Sequence, residues 1–280
     1  MNAVKTVLLL GLLSGLLLLL GQAFGGRNGL MIGLAIAVAM NFFAYFFSDK
    51  MALAMYSAQP LTPEQNPAAY ARVYPIVARL AQRMGLPMPK LWLLPESSPN
   101  AFATGRNPEH ASVAFTAGIL QTMSDDEIEG VVAHELGHVL HRDILIASVA
   151  ATIASAITFL ARMSFFFGGR SDDEDRGGGW SGILMLILAP LAAVVIQMAI
   201  SRSREFDADA ASAKYTNNPN KLIAALRKLE VASKQIPLDA SPSTAHLFII
   251  QPFSGASLMR LFSSHPPTEE RIRRLEQFRR

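Results

Sequence analysis

The sequence predicts an α+β integral membrane protein, mainly helical, with four hydrophobic helices in two hairpins and a small antiparallel sheet in its polar part. Of 280 residues, 51% are hydrophobic and only 17% are charged, a balance that belongs to membrane chains. Four apolar stretches approach the roughly 20 residues needed to cross a hydrocarbon core. The polar remainder alternates between helical periodicity and short strand-like runs. A net charge of +3, with basic residues scattered among acidic ones, offers no nucleic-acid footprint and leaves the lipid bilayer as the charged partner. Without cysteine there is neither a disulfide framework nor a thiolate, so any metal must be held by His, Asp or Glu.

The first two stretches, Thr6 to Phe24 and Leu30 to Phe47, form an N-terminal transmembrane hairpin within residues 1–48. Lys5 ahead of an apolar run also suits a signal peptide, but the run is long and Gln22-Ala23-Phe24 supplies no small-x-small cleavage site. Ile144 to Ala161 and Gly182 to Ile200 form a second hydrophobic hairpin, residues 144–201, inserted in a polar domain made of 49–143 and 202–280. The third stretch is rich in Ala and Ser, which let backbones approach closely, so it packs against another helix and does not face lipid all round. Lys and Arg concentrate at the N-terminal end, between Ser48 and Asp143, and after Ile200, which places the polar domain in the cytoplasm. The loop from Gly168 to Trp180, Gly-rich with Asp172, Asp173, Glu174 and Asp175, reads as a flexible solvated connection.

Within the polar domain, Ala68 to Gly85 has helical periodicity and stops at Gly85. Three strand candidates follow, Leu91 to Leu94, Ala101 to Thr104 and Ser112 to Phe115, separated by Pro, Asn and Gly turn signals. Ser124 then opens a helix with Glu127 three residues on, a capping box, and the pattern continues through Asp143.

That helix carries His134-Glu135-Leu136-Gly137-His138. Spacing of i to i+4 puts both imidazoles on one helical face, where each can give a nitrogen to one zinc ion while Glu135 points toward water on the metal. The chemistry this arrangement supports is attack of an activated water on a carbonyl, with Glu135 as general base. The alternative is a helix that merely carries these three residues. A third ligand is offered by Glu205 in Ser201-Arg202-Ser203-Arg204-Glu205-Phe206-Asp207-Ala208-Asp209-Ala210, with Asp209 one turn later to accept a hydrogen bond from the far nitrogen of a ligating histidine. Here the alternative is a solvated acidic face paired with Arg202 and Arg204. Two crossings separate His138 from Glu205, which returns both to the same side of the membrane. Only six residues lie from His138 to Ile144 and five from Ile200 to Glu205. At ~1.5 Å per helical residue the metal sits within roughly 10 Å of the bilayer surface.

The two hydrophobic hairpins, the His134 to His138 motif, the Ser201 to Ala210 segment, and the stretches Ala245 to Ile250 and Ser264 to Arg271 together resemble the bacterial HtpX family of heat-shock-linked membrane proteases, related to the CAAX prenyl proteases. The resemblance covers nearly the whole chain. It implies a gluzincin-type zinc peptidase domain, one Zn²⁺ per chain held by His134, His138 and Glu205, and Glu135 as base. It further implies an endopeptidase of the inner membrane that cuts misfolded or damaged membrane proteins and unfolded polypeptides as part of stress response and quality control. In the wider family an Asn-Ala-Phe-like edge strand aligns substrate, which matches Asn100, Ala101 and Phe102, and a His-Pro element near the metal matches His265 and Pro266, with Arg271 following.

An edge strand would bind an extended peptide through main-chain hydrogen bonds. His265 or Arg271 would stabilise the oxyanion; alternatively His265 caps the last helix and Arg271 pairs with Glu205, Asp209 or another carboxylate. His110, His141 and His246 read as surface or structural histidines. Two other readings compete. An intramembrane metalloprotease is disfavoured by Asp125, Asp126, Glu127 and Glu129 before the motif and His141, Arg142 and Asp143 after it. A non-enzymatic scaffold would be expected to have lost Glu135 or a ligand.

Overall fold

The computed structural model describes residues 2–168, 202–235, 249 and 266–279. The fourth apolar stretch, the acidic loop from Gly169 to Trp180, His246 and His265 lie outside the described residues. Helix α1, Asn2–Met55, is broken at Gly26, whose φ of 53° and ψ of −137° are tolerated because glycine lacks Cβ. Its limbs, Val4–Gln22 and Gly25–Met55, are each long and apolar enough to cross a membrane. They meet backbone to backbone: a Cβ on Gly21 would lie 2.3 Å from the Gly29 carbonyl oxygen, and one on Gly33 would lie 2.6 Å from that of Leu17. In lipid, where apolar burial no longer drives association, such close packing is what holds helices together. A polar link also joins the limbs, the Asn41 amide donating to Ser14 Oγ at 2.8 Å. The helix continues past position 48 to Met55.

The sheet is mixed, which corrects the expectation of an antiparallel one. Strands β1 (Gln59–Pro60), β2 (Lys90–Leu94), β3 (Ala101–Gly105) and β4 (Ala111–Thr116) lie in the order β1-β2-β4-β3. Strand β3 takes the outer edge and β4 returns between it and β2, so β4 is antiparallel to β3 but parallel to β2, with Leu91 opposite Val113. Short apolar runs look the same in either pairing, and strand order leaves no mark on them.

Helix α2, Pro67–Met84, ends on Gly85 in the left-handed conformation at φ 66°. A short α3, Ala117–Thr122, precedes α4, Asp125–Leu140. Both halves of the capping box at Ser124 and Glu127 are present. Ile128, Val131, Val132 and Leu136 of α4 are fully buried in the main core, against Val77, Leu80, Phe115 and Leu226. The acidic first turns of α4 are tied down by Lys228 on Glu127 at 2.7 Å and by Arg79 and Lys221 on Glu129 at 3.0 and 3.1 Å.

Helix α4 stops at Leu140 and does not continue to Asp143. Arg142 turns left-handed at φ 58°, its amide donates to Val139 O, and the Asp143 amide donates to His138 O at 2.9 Å. These two bonds are the Schellman closure, with an arginine where glycine is usual. Helix α5, Ile144–Gly168, leaves this corner bent by 88° from α4. Its Ile146, Val149, Ala150 and Ile153 bury against Leu9, Leu13 and Leu17 of α1, so the third apolar stretch does pack on another helix. Among the described residues, helices α6 (Arg202–Thr216), α7 (Pro219–Gln235) and α8 (Thr268–Glu276) follow in the polar domain.

Candidate metal centre

Helix α4 can present its histidines to α6 only because both its glycines are contact points. A Cβ on Gly137 would sit 3.1 Å from Ala208 Cα and from Ala211 Cβ, and one on Gly130 would sit 2.5 Å from the Leu222 amide nitrogen. Ser212 of α6 also donates to Gly130 O at 2.8 Å. This proximity brings Glu205 and Asp209 of α6, both buried, onto the His134 and His138 face of α4.

His134 Nε2 lies 3.7 Å from Glu205 Oε2, and His138 Nε2 lies 3.5 Å from Glu205 Oε1. One ligand atom from each of the three residues falls within 4.8 Å of the others. Tetrahedral zinc with bonds of about 2.0–2.1 Å sets its ligand atoms ~3.4 Å apart, so this donor set fits the ion. The far nitrogens are also engaged. His134 Nδ1 is 2.9 Å from Asp209 Oδ1, and His138 Nδ1 is 3.4 Å from Asp143 Oδ2. Such carboxylate partners fix the tautomer and aim Nε2 at a metal.

Behind Asp209 stands Arg271 of α8, fully buried. Its Nε and Nη2 donate to the two Asp209 oxygens at 2.9 and 2.7 Å, and Nη1 donates to Ile249 O at 3.0 Å. The guanidinium lies against the His134 ring, with Nη2 3.4 Å from Nδ1 and 3.5 Å from Nε2. The Ile249 amide donates in turn to Asn100 Oδ1 at 3.1 Å, an oxygen that also accepts from the Ala101 amide. Asn100 thus joins the start of β3 to the arginine. Phe102 is buried on the opposite course, its ring 6.2 Å from that of Tyr56. Between them and the helix, the Ala103 amide donates to Glu135 Oε2 at 2.8 Å.

Burial shapes the charges. It pushes His134 down to about 4, outweighing the Asp209 hydrogen bond, and pushes Glu135 up to about 8, with the negative charge of Glu205 adding to it. For His138 burial acts downward too, but the Asp143 hydrogen bond and the charges of Glu205 and Glu135 override it and raise the group to about 9. Burial would raise Asp209, yet Arg271 holds it down at about 2.

The structure therefore gathers His134, Glu135, His138, Glu205, Asp209 and Arg271 in one place, with Asn100 and Ala101 beside them. His110 is exposed on the β3–β4 turn against Asn107 and Arg106, and His141 is exposed at the end of α4. Sequence reasoning missed Asp143 and the Ile249 backbone. Asp143 left a signal, a carboxylate at the threshold of an apolar helix, where an unpartnered charge is costly. A backbone link through Ile249 leaves none.

Residues 67–279 match the family model Peptidase family M48. The "Protease HtpX homolog" of Syntrophobacter fumaroxidans is 54% identical over 278 residues, covering 97% of this chain and 97% of that one. The proteins of the same name from Desulforapulum autotrophicum and Persephonella marina are each 52% identical, covering 98% and 100% of this chain and 89% and 98% of theirs. Among solved structures, S. mikatae Ste24p superposes with a TM-score of 0.50 at 22% identity. That match covers 98% of this chain, which spans 65% of the Ste24p chain, and it shows a shared fold. With its two membrane-capable limbs and its His134, His138 and Glu205 cluster, the chain belongs to peptidase family M48, as a membrane metalloprotease of the HtpX family.

Proposed function

We propose that this protein is a zinc-dependent endopeptidase with one zinc ion held by His134, His138 and Glu205, and that Glu135 is its general base. The observation that carries the reading is the convergence of both Nε2 atoms on the Glu205 carboxylate, with the buried Glu135 carboxyl on the same helix. When bound, zinc supplies Lewis acidity that polarises the scissile carbonyl and acidifies a water. Glu135 takes a proton from the water as its oxygen attacks the carbonyl carbon, then delivers it to the amide nitrogen as the C–N bond breaks. Burial raises the Glu135 carboxyl in the metal-free site, and the charge of bound zinc would draw it back toward the ionised form that a base requires. The Ala103 amide holds one Glu135 oxygen, and Asp209 and Asp143 hold the imidazoles. Arg271 positions His134 through Asp209, and Arg271 or His265 stabilises the oxyanion.

Peptide substrate extends along β3 at Asn100, Ala101 and Phe102. The domain boundaries are those of two membrane hairpins, 1–48 and 144–201, around a peptidase domain of 49–143 and 202–280. The peptidase domain faces the cytoplasm from the inner membrane, and the substrates are misfolded or damaged membrane proteins and unfolded polypeptides. Proximity to the bilayer is supported by α5 beginning one residue after Asp143, and by Lys5 of α1 sharing an electrostatic neighbourhood with Asp143 and Arg204.

Glu135→Gln in detergent-purified protein should keep zinc, by metal analysis, and lose about 10²- to 10⁴-fold in casein cleavage. Near-normal turnover would remove Glu135 from the mechanism.

A further inference from the structure

Asn100 stands immediately before β3, and its main chain is tied to Thr116 at the end of β4. Its amide donates to Thr116 Oγ1 at 2.8 Å, and its carbonyl accepts from the Thr116 amide and hydroxyl, both at 3.0 Å. Thr116 is held in turn, because the same hydroxyl oxygen caps α3 by accepting from the Ile119 amide. The Asn100 side chain therefore starts from a fixed point. Its Oδ1 accepts from the Ala101 and Ile249 amides, both at 3.1 Å, which occupies both lone pairs. Ile249 O takes Nη1 of Arg271, whose Nε and Nη2 grip Asp209, and Asp209 Oδ1 lies 2.9 Å from His134 Nδ1. Asn100, Ile249, Arg271, Asp209 and His134 are each 3% exposed or less, so the whole path is shielded from solvent.

We propose that Asn100 is a positioning residue for the metal: its side-chain oxygen sets the Ile249 peptide, and through it the orientation of Arg271, Asp209 and the ligand His134. A guanidinium that grips a carboxylate along one edge can still swing about that pair, and an anchor on its remaining nitrogen stops the swing. The Ile249 carbonyl is that anchor, and Asn100 fixes it. Strand β3 and the residue before it then reach the centre twice, through the Ala103 amide on Glu135 and through Asn100 on the support of His134. Base and ligand are thereby registered against one strand. The inference rests on His134 being a zinc ligand and is independent of any pairing of peptide with β3.

The test uses the full-length protein in detergent, with zinc affinity read by chelator competition and kinetics on one cleaved peptide. Asn100→Leu, similar in volume but without the oxygen, should loosen zinc about three- to tenfold, the worth of one hydrogen bond, and lower kcat more than it raises KM. Asn100→Asp should restore both, because a carboxylate oxygen accepts from the same two amides. Arg271→Lys, whose ammonium cannot reproduce the fork between Asp209 and Ile249, should loosen zinc as well. In that background Asn100→Leu should add little, whereas additive losses would mean that Asn100 acts by another route and would overturn the proposal. A raised KM in Asn100→Leu and Asn100→Asp alike, with zinc affinity unchanged, would make Asn100 a substrate contact and nothing more. Should Asn100→Leu fail to fold, the Asp and Lys variants decide: normal zinc affinity in Arg271→Lys, or a raised KM in Asn100→Asp, refutes the role. Zinc retained at full affinity by His134→Ala would instead remove the ligand assignment itself, an outcome separate from all of these.

Discussion

Two regions of this protein pack helices through glycine, and they use the contact for opposite ends. In the N-terminal hairpin, Gly21, Gly29 and Gly33 let two apolar limbs meet backbone to backbone, and a neutral Asn41 to Ser14 bond links them. The Asn41 Oδ1 is the one buried side-chain atom without a partner among the described residues. In the peptidase domain, Gly130 and Gly137 bring α4 against α7 and α6, and the gap that is closed holds two imidazoles, three carboxylates and a guanidinium. Close approach in lipid yields adhesion alone. In the domain it sets the reach of ligands, so an error of an ångström is paid in chemistry.

The sharpest way to break this comparison is to place the same branched side chain in each contact. Gly137→Val should push α6 away and strip zinc from the protein. Proteolysis should fall beyond the about 10²-fold that a 1 Å misplacement costs, because the metal goes as well. Gly29→Val, whose Cβ would lie 2.0 Å from Gly21 O, should splay the hairpin yet keep zinc stoichiometry. Equal zinc loss in both would show that the limbs, too, set ligand geometry.

Removal of charge separates the regions further. Arg271→Leu leaves Asp209 buried without its cation, a change that typically costs about 3–5 kcal/mol, and denaturant titration of the peptidase domain should show it. Retained stability would mean that Asp209 is satisfied by His134 alone.

A smaller effect concerns protons. In chelator-treated protein His138, raised to about 9, carries a proton at neutral pH that zinc must displace. Zinc affinity should therefore rise by about tenfold per pH unit, or 1.4 kcal/mol, up to pH about 9 and then level off. The protonated imidazole, in contrast, stabilises the stripped protein; that contribution is full below pH about 6.5 and is lost as pH rises through 9. Competition titrations with a chelator of known pH dependence would measure the slope, and a flat profile would assign the proton elsewhere. The smallest effect belongs to Ser124→Ala, which removes half of the capping box and should cost about 1 kcal/mol by the same denaturant assay.

Much of the site was legible because it is local. His134, Glu135 and His138 are fixed relative to one another by helical geometry, and Ser124 with Glu127 marked where that helix begins. Glu205 and Asp209 were found by residue type and by counting crossings, since their approach depends on Gly137, which sits inside the motif unremarked. The mixed sheet was not legible, for apolar runs such as Leu91 to Leu94 carry no record of their neighbours. Nor was the end of α4: an arginine in the left-handed region at 142 contradicts propensity, and the hydrogen bonds around it come from the corner itself. The Asn100 to Ile249 to Arg271 link runs through a main chain that any residue would supply.

That corner has a mechanical consequence. Asp143, which steadies His138, is the last residue before α5, and the Schellman bonds leave no slack between them. With 25 residues α5 is ~37 Å long. Any swing of so long an arm turns Asp143 with it, and the imidazole that Asp143 holds must follow or lose its partner.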